Sequence, residues 1–113
     1  MAVTIYHNPR CGKSRATLAL LQGKGLAPKV VDYLTHPPSA AELRAILKML
    51  GMTAHDLVRA KEAADAGVVP ASLSEDQLVT EMVRAPILIE RPIVVAGRKA
   101  ALGRPPENVL GIL

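Results

Sequence analysis

The chain has 113 residues, half of them hydrophobic and 21% charged, a composition that suits one globular domain and excludes disorder. Aromatic residues make up only 2%, both of them Tyr, so there is no platform for stacking nucleobases, and no apolar run nears the roughly 18 residues of a membrane span. The net charge of +4 is uneven: residues 1–61 hold nine Lys/Arg against three Asp/Glu, and residues 62–113 hold five against seven. Basic residues never run more than two together, which favours a small anion over a nucleic-acid backbone as the partner. With no charged-then-apolar leader, the expected compartment is the cytoplasm, with neither nucleic acid nor membrane as a partner.

Taken in order, Ala2–Tyr6 alternates β-branched and polar residues and reads as a strand, broken by His7-Asn8-Pro9. A helix follows from about Cys11, with Ala16, Leu18, Leu20 and Leu21 at helical spacings and Gly23 and Gly25 as stop signals. Lys29–Tyr33 reads as a second strand, giving a βαβ unit with a right-handed crossover. Ser39-Ala40-Ala41-Glu42 is a capping box ahead of Leu43, Ile46, Leu47 and Leu50, an i, i+3, i+4, i+7 stripe ended by Gly51. A weaker helix is expected over roughly 54–62. Ser74-Glu75-Asp76-Gln77 is a second capping box, with its helix running to about Arg84 before Pro86. Pro92–Ala96, a turn at Gly97 and Lys99–Leu102 read as a hairpin, and Pro105-Pro106 opens a last helix. The order β-α-β, helices, β-β-α predicts an α/β fold, one small mixed sheet with helices on both faces.

Cys11 is the sole cysteine, so the chain can form no internal disulfide and no cysteine-only metal site, and no His/Cys/Asp cluster has metal-ligand spacing. It stands where a strand turns into a helix, among Asn8, Arg10, Gly12, Lys13 and Ser14. Unpaired amides at a helix start stabilise a thiolate, and flanking cations add to that. Placing Arg10, Lys13 and Arg15 rather than acids at a helix N-terminus is costly unless an anion sits there. Such polar surroundings argue against a merely buried thiol. Three familiar motifs fail: a Walker A loop needs glycine where His7 stands, a phosphatase loop needs arginine where Thr17 stands, and a dithiol motif needs cysteine where Ser14 stands. A one-cysteine C-x-x-S site remains.

His7-Asn8-Pro9-Arg10-Cys11-Gly12-Lys13-Ser14-Arg15, Tyr33-Leu34, Pro37-Pro38, Glu90-Arg91-Pro92-Ile93-Val94-Val95 and Gly103-Arg104-Pro105 together resemble the ArsC-type, glutaredoxin-dependent arsenate reductases, in particular their shorter branch. The resemblance is collinear over essentially the whole chain. It implies a thioredoxin-like fold in a single domain over 1–113, with a helical insertion at about 38–86. It implies that Cys11 attacks arsenate, that Arg59, Arg91 and Arg104 hold the oxyanion, and that His7, Asn8 and Ser14 orient the cysteine. A cis Arg91–Pro92 bond beside the thiol is expected on the same ground. Planar bidentate donors suit a tetrahedral oxyanion, which fits the choice of arginine over lysine. With one cysteine, the resolving thiol comes from outside. Glutathione followed by glutaredoxin is the implied route, glutathione acting as co-substrate, with no metal and no bound cofactor. Arg44, Arg84 and Arg98 read as solvated surface residues, His36 and His55 as turn or surface residues, and Met49, Met52 and Met82 as core packing. Two rivals stay open on the residues alone: a monothiol oxidoreductase for another small oxidant, and a protein-binding module like the Spx regulators.

Overall fold

A computed structural model describes residues 2–113. The elements are β1 (Val3–His7), α1 (Gly12–Gly23), β2 (Lys29–Asp32), α2 (Ala40–Leu50), α3 (Ala54–Leu57), α4 (Ala60–Asp65), α5 (Glu75–Arg84), β3 (Ile93–Ala96) and β4 (Lys99–Leu102). Three 3-10 segments, Pro70–Ser72, Pro86–Leu88 and Pro106–Ile112, complete them. The chain divides into two compact units, one made of the residues up to His36 together with Arg91–Leu113, the other of Pro37–Glu90.

The first unit holds the sheet, in the order β2-β1-β3-β4. β1 and β2 run parallel with His7 in register with Asp32, while β1/β3 and β3/β4 are antiparallel. This is the mixed sheet the element order predicts, in keeping with the thioredoxin-like fold that the resemblance implies. Its core follows from the two-residue period of the strands: Val3 and Ile5 of β1 and Val94 and Ala96 of β3 point to one face, where Leu21 of α1 and Val109 cover them. Burying each of the larger side chains contributes about 1.5–3 kcal/mol before chain entropy is counted. Gly97 supplies the positive φ of 61° that the β3–β4 hairpin turn requires. The closing segment Pro106–Ile112 is a 3-10 helix rather than the α-helix suggested by its prolines, with i→i+3 bonds such as Asn108 N–H to Pro105 O at 3.0 Å.

The second unit is helical and owes its ends to local chemistry. Ser39 and Ser74 each accept from the amide three residues on, while Glu42 and Gln77 bond back, so both capping boxes form. Leu43, Ile46 and Leu47 of α2 are buried, as are Leu78, Val79 and Met82 of α5. Met49 and Met52 are only half-buried. The single helix expected over 54–62 is instead two. Between them Val58 is extended (φ −67°, ψ 140°), forms a bridge with Ile89, and is followed by an Arg59 N–H to Leu88 O bond of 2.8 Å. Pairing with that distant segment outweighs helix continuation, since it satisfies backbone groups that burial would leave orphaned. Arg44 and Arg84 pair with Asp76 and Glu81 at the surface, and Arg98 is exposed. His36 is exposed in the turn after β2, and His55 is exposed against Glu75, Pro70 O and Leu73 O.

Candidate active site

The site is built on the turn from β1 into α1. Pro9 cannot continue the β1 ladder, and the chain reverses through a Cys11 N–H to Asn8 O bond of 3.0 Å. Cys11 is the N-cap residue of α1, with extended dihedrals (φ −93°, ψ 123°), and there is no acidic residue in the first turn. Ser, Thr, Asp or Asn usually occupies this position. A half-buried thiol stands there instead, facing the first amides of the helix.

Burial alone would push the Cys11 thiol up. The Ser14 amide, the Arg91 guanidinium (as hydrogen-bond donor and as charge) and the Lys13 amide outweigh it, and the thiol lies below its ordinary value. The flanking cations expected to assist are not among these causes. Arg15 turns to donate to Pro9 O at 2.9 Å, and the Arg10 and Lys13 side chains are exposed. The charge that acts on the thiol most strongly, that of Arg91, comes from the far end of the sequence, just before β3.

Arg104 completes the cationic side. Its Nη1 lies 4.0 Å from Cys11 Sγ and donates to Arg91 O at 3.2 Å. Arg91 and Arg104 are both partly buried, and both precede prolines in cis peptide bonds, Arg91–Pro92 and Arg104–Pro105. The first was expected; the second was not. Two guanidiniums and a helix N-terminus thus stand beside one sulfur, an arrangement whose chemistry favours an anion.

Ser14, buried under this turn, receives the Asn8 N–H at 3.0 Å and stands 2.6 Å from His7 Nδ1. Asn8 Oδ1 accepts from Arg10 N–H at 3.0 Å. Burial pushes His7 below the ordinary imidazole value, with Asp32 opposing and Arg15 reinforcing the shift. The side chains of His7, Asn8 and Ser14 thus fix the turn that presents Cys11, while the Ser14 amide acts on the thiol itself.

Two residues of this arrangement have a positioning role that the sequence reading does not assign. Thr17 is fully buried, and its hydroxyl donates to Lys13 O at 2.8 Å, with a longer contact of 3.5 Å to Gly103 O. Gly103 donates to Pro92 O at 3.0 Å, and a Cβ there would collide with Thr17 Oγ1 and meet Pro92 Cγ at 2.7 Å. The glycine therefore lets β4's end close against α1 and Pro92, which holds Arg91 and Arg104 together. The available signal was the 14, 17, 21 spacing, which puts two polar residues in line with Leu21 on the inner face of the helix.

Arg59 belongs to the helical unit. It is the N-cap of α4, and its guanidinium pairs with Glu62 (2.9 Å) and with Glu90. Burial would lower it, but these carboxylates outweigh that and raise it. Cys11, Arg91, Arg104, His7, Asn8 and Ser14 are thus brought together within one unit, whereas Arg59 is engaged by two carboxylates within the other. Among the described residues, no three His, Cys, Asp or Glu side chains gather as metal ligands, and no helix is long and apolar enough to cross a membrane.

A sequence model of the ArsC family matches residues 6–112. The chain is 54% identical to YfgD of Escherichia coli, an uncharacterised protein, over 98% of this chain and 96% of that one. It is 48% identical to an arsenate reductase of Rhizobium meliloti, over 100% and 82%. Among solved structures, an arsenate reductase from Vibrio cholerae superposes with a TM-score of 0.90 at 47% identity, covering 100% of this chain and 98% of that one.

Proposed function

The chain belongs to the ArsC family, and from that membership and the setting of Cys11 we propose that it reduces arsenate to arsenite, using glutathione and glutaredoxin as the source of electrons. The observation that carries this is one thiol, the only one in the sequence, held below its ordinary pKa at a helix N-terminus with Arg91 and Arg104 beside it.

Arg91, Arg104 and the first amides of α1 bind the oxyanion and offset its charge as the sulfur approaches. The Cys11 thiolate attacks arsenic and forms an S–As bond as one oxygen departs. Going from arsenate to arsenite takes two electrons, and each thiol gives one when it enters a disulfide. Cys11 is regenerated at the end of the cycle, so both electrons come from outside. One arsenate, one glutathione thiol and one glutaredoxin thiol give one arsenite, one mixed disulfide and one water, which takes the two thiol protons. His7, Asn8 and Ser14 hold the turn so that the sulfur meets the anion at a fixed place. Arg59 is carried into this reading as a third arginine by the family resemblance. No metal or bound cofactor takes part; glutathione is a co-substrate.

The test is NADPH oxidation coupled through glutathione reductase, glutaredoxin and glutathione, with arsenate as the oxidant. Wild type is expected to turn over and Cys11→Ser to fall to background. Turnover retained in Cys11→Ser would overturn the assignment.

A further inference from the structure

Arsenate chemistry leaves a second feature beside Cys11 unused. A cleft of about 330 Å³ is lined by Asn8, Pro9, Arg10, Asp32, Leu34 and Thr35, a volume at the lower end of small-molecule sites. Its position follows from the sheet. β1 and β2 are parallel neighbours with His7 opposite Asp32, so the turns that leave their ends emerge side by side. One wall is the turn that carries the nucleophile, fixed by the Cys11 N–H to Asn8 O and Arg15 Nη1 to Pro9 O bonds. The other is a tight turn in which Asp32 O accepts from His36 N–H at 2.9 Å and Asp32 Oδ1 accepts from Leu34 N–H at 3.2 Å. Both walls are therefore held independently of any ligand.

The two walls carry opposite charges. The Arg10 guanidinium is exposed and has no ion-pair partner among the described residues; the half-buried Asp32 carboxylate has no cation paired with it among them either. Pro9 and Leu34 supply apolar surface between. An inorganic oxyanion would be repelled by Asp32, and a purely apolar ligand would leave both charges unused. A small zwitterion satisfies the two together.

We propose that this cleft seats the peptide thiol co-substrate, with a carboxylate on Arg10, the ammonium on Asp32, and the thiol delivered to the arsenic held at adjoining Cys11. Glutathione has this chemistry, with one ammonium, two carboxylates and one thiol, and an extended length of about 10 Å. The assignment deepens, and rests on, the thiol-dependent reduction above.

The binding experiment is kept free of arsenate, so that the two ideas fail separately. Nitrogen-15-labelled protein is titrated with S-methylglutathione, which can neither reduce nor be oxidised at sulfur by thiol exchange. Saturable shifts at millimolar ligand are expected for the amides of Arg10, Asp32, Leu34 and Thr35. In the coupled assay, Arg10→Glu and Asp32→Asn are each expected to raise KM for glutathione about tenfold while KM for arsenate stays within twofold. Arg10 is exposed, and asparagine keeps the acceptor for Leu34 N–H, so neither change threatens the fold. Shifts confined to the Arg91–Arg104 region, no saturable shifts, or an unchanged KM for glutathione would overturn the site. Shifts at the four amides in a protein that does not turn over arsenate would uphold the cleft and remove the substrate assignment instead.

Discussion

Cys11 depends on groups both near and far. The Ser14 and Lys13 amides come with its place at the start of α1, and that much was legible from a strand-breaking proline followed by helical spacing. Its cationic partner Arg91 was named through a sequence resemblance, not through spacing, because nothing local ties residue 91 to residue 11. Since the folded thiol lies below its ordinary value, thiolate stability and reactivity are fully present above about pH 8.5 and are lost as pH falls through the folded value. Alkylation of Cys11 by iodoacetamide is therefore expected to show a lower midpoint pH in the folded protein than in the urea-unfolded chain. Arg91→Gln is expected to move that midpoint upward and raise KM for arsenate at least about tenfold, because it removes both a donor and a charge. A midpoint at the free-thiol value in wild type would contradict the electrostatic account. Arg59 calls for a separate test. Removing it leaves Glu62 and Glu90 without their shared cation, so Arg59→Ala is expected to lower stability by roughly 1–3 kcal/mol in urea unfolding. As a third oxyanion ligand it would also raise KM for arsenate with KM for glutathione unmoved; an unmoved arsenate KM removes it from the site.

Elements whose ends are set by their own residues were the most legible. The boxes at Ser39 and Ser74, the αL Gly51 and the Gly97 hairpin all form where their sequences put them, because each is closed within four or five residues. The break between α3 and α4 was not legible, since its cause is the Val58–Ile89 pairing across the helical unit. The inner face of α1 was misread for a related reason. Ser14 and Thr17 are buried there instead of Ala16, which is exposed, because the face serves the turns that hold Cys11 and Arg104 as well as the apolar core. Gly103, just after β4, lies against Thr17 of α1. Gly103→Ala puts a methyl group where Thr17 and Pro92 already stand, so it is expected to cost about 1–3 kcal/mol of stability and to weaken arsenate binding by displacing Arg104. Equilibrium unfolding together with KM for arsenate checks this, and a variant with wild-type values in both would show that the close contact does not position the arginine.

At the scale of the whole molecule, the order of strands along the chain sufficed to predict a mixed sheet, and the order β2-β1-β3-β4 follows once the βαβ unit and the hairpin share β1 as their neighbour. The sheet unit is assembled from both ends of the sequence, which is how Cys11 near one end meets Arg91 and Arg104 near the other. The composition carries a chemical consequence as well. A chain with a single cysteine cannot supply two electrons and recover its thiol, so an external thiol is obligatory if Cys11 is the nucleophile. The most direct measurement is arsenic speciation after incubation of arsenate and glutaredoxin with wild type or Cys11→Ser, each with and without glutathione. Arsenite is expected only for wild type with glutathione present, with one mixed disulfide formed per arsenite and Cys11 recovered as a thiol. Arsenite formed at the same rate by Cys11→Ser, or by wild type with no external thiol consumed, would contradict the account at its centre.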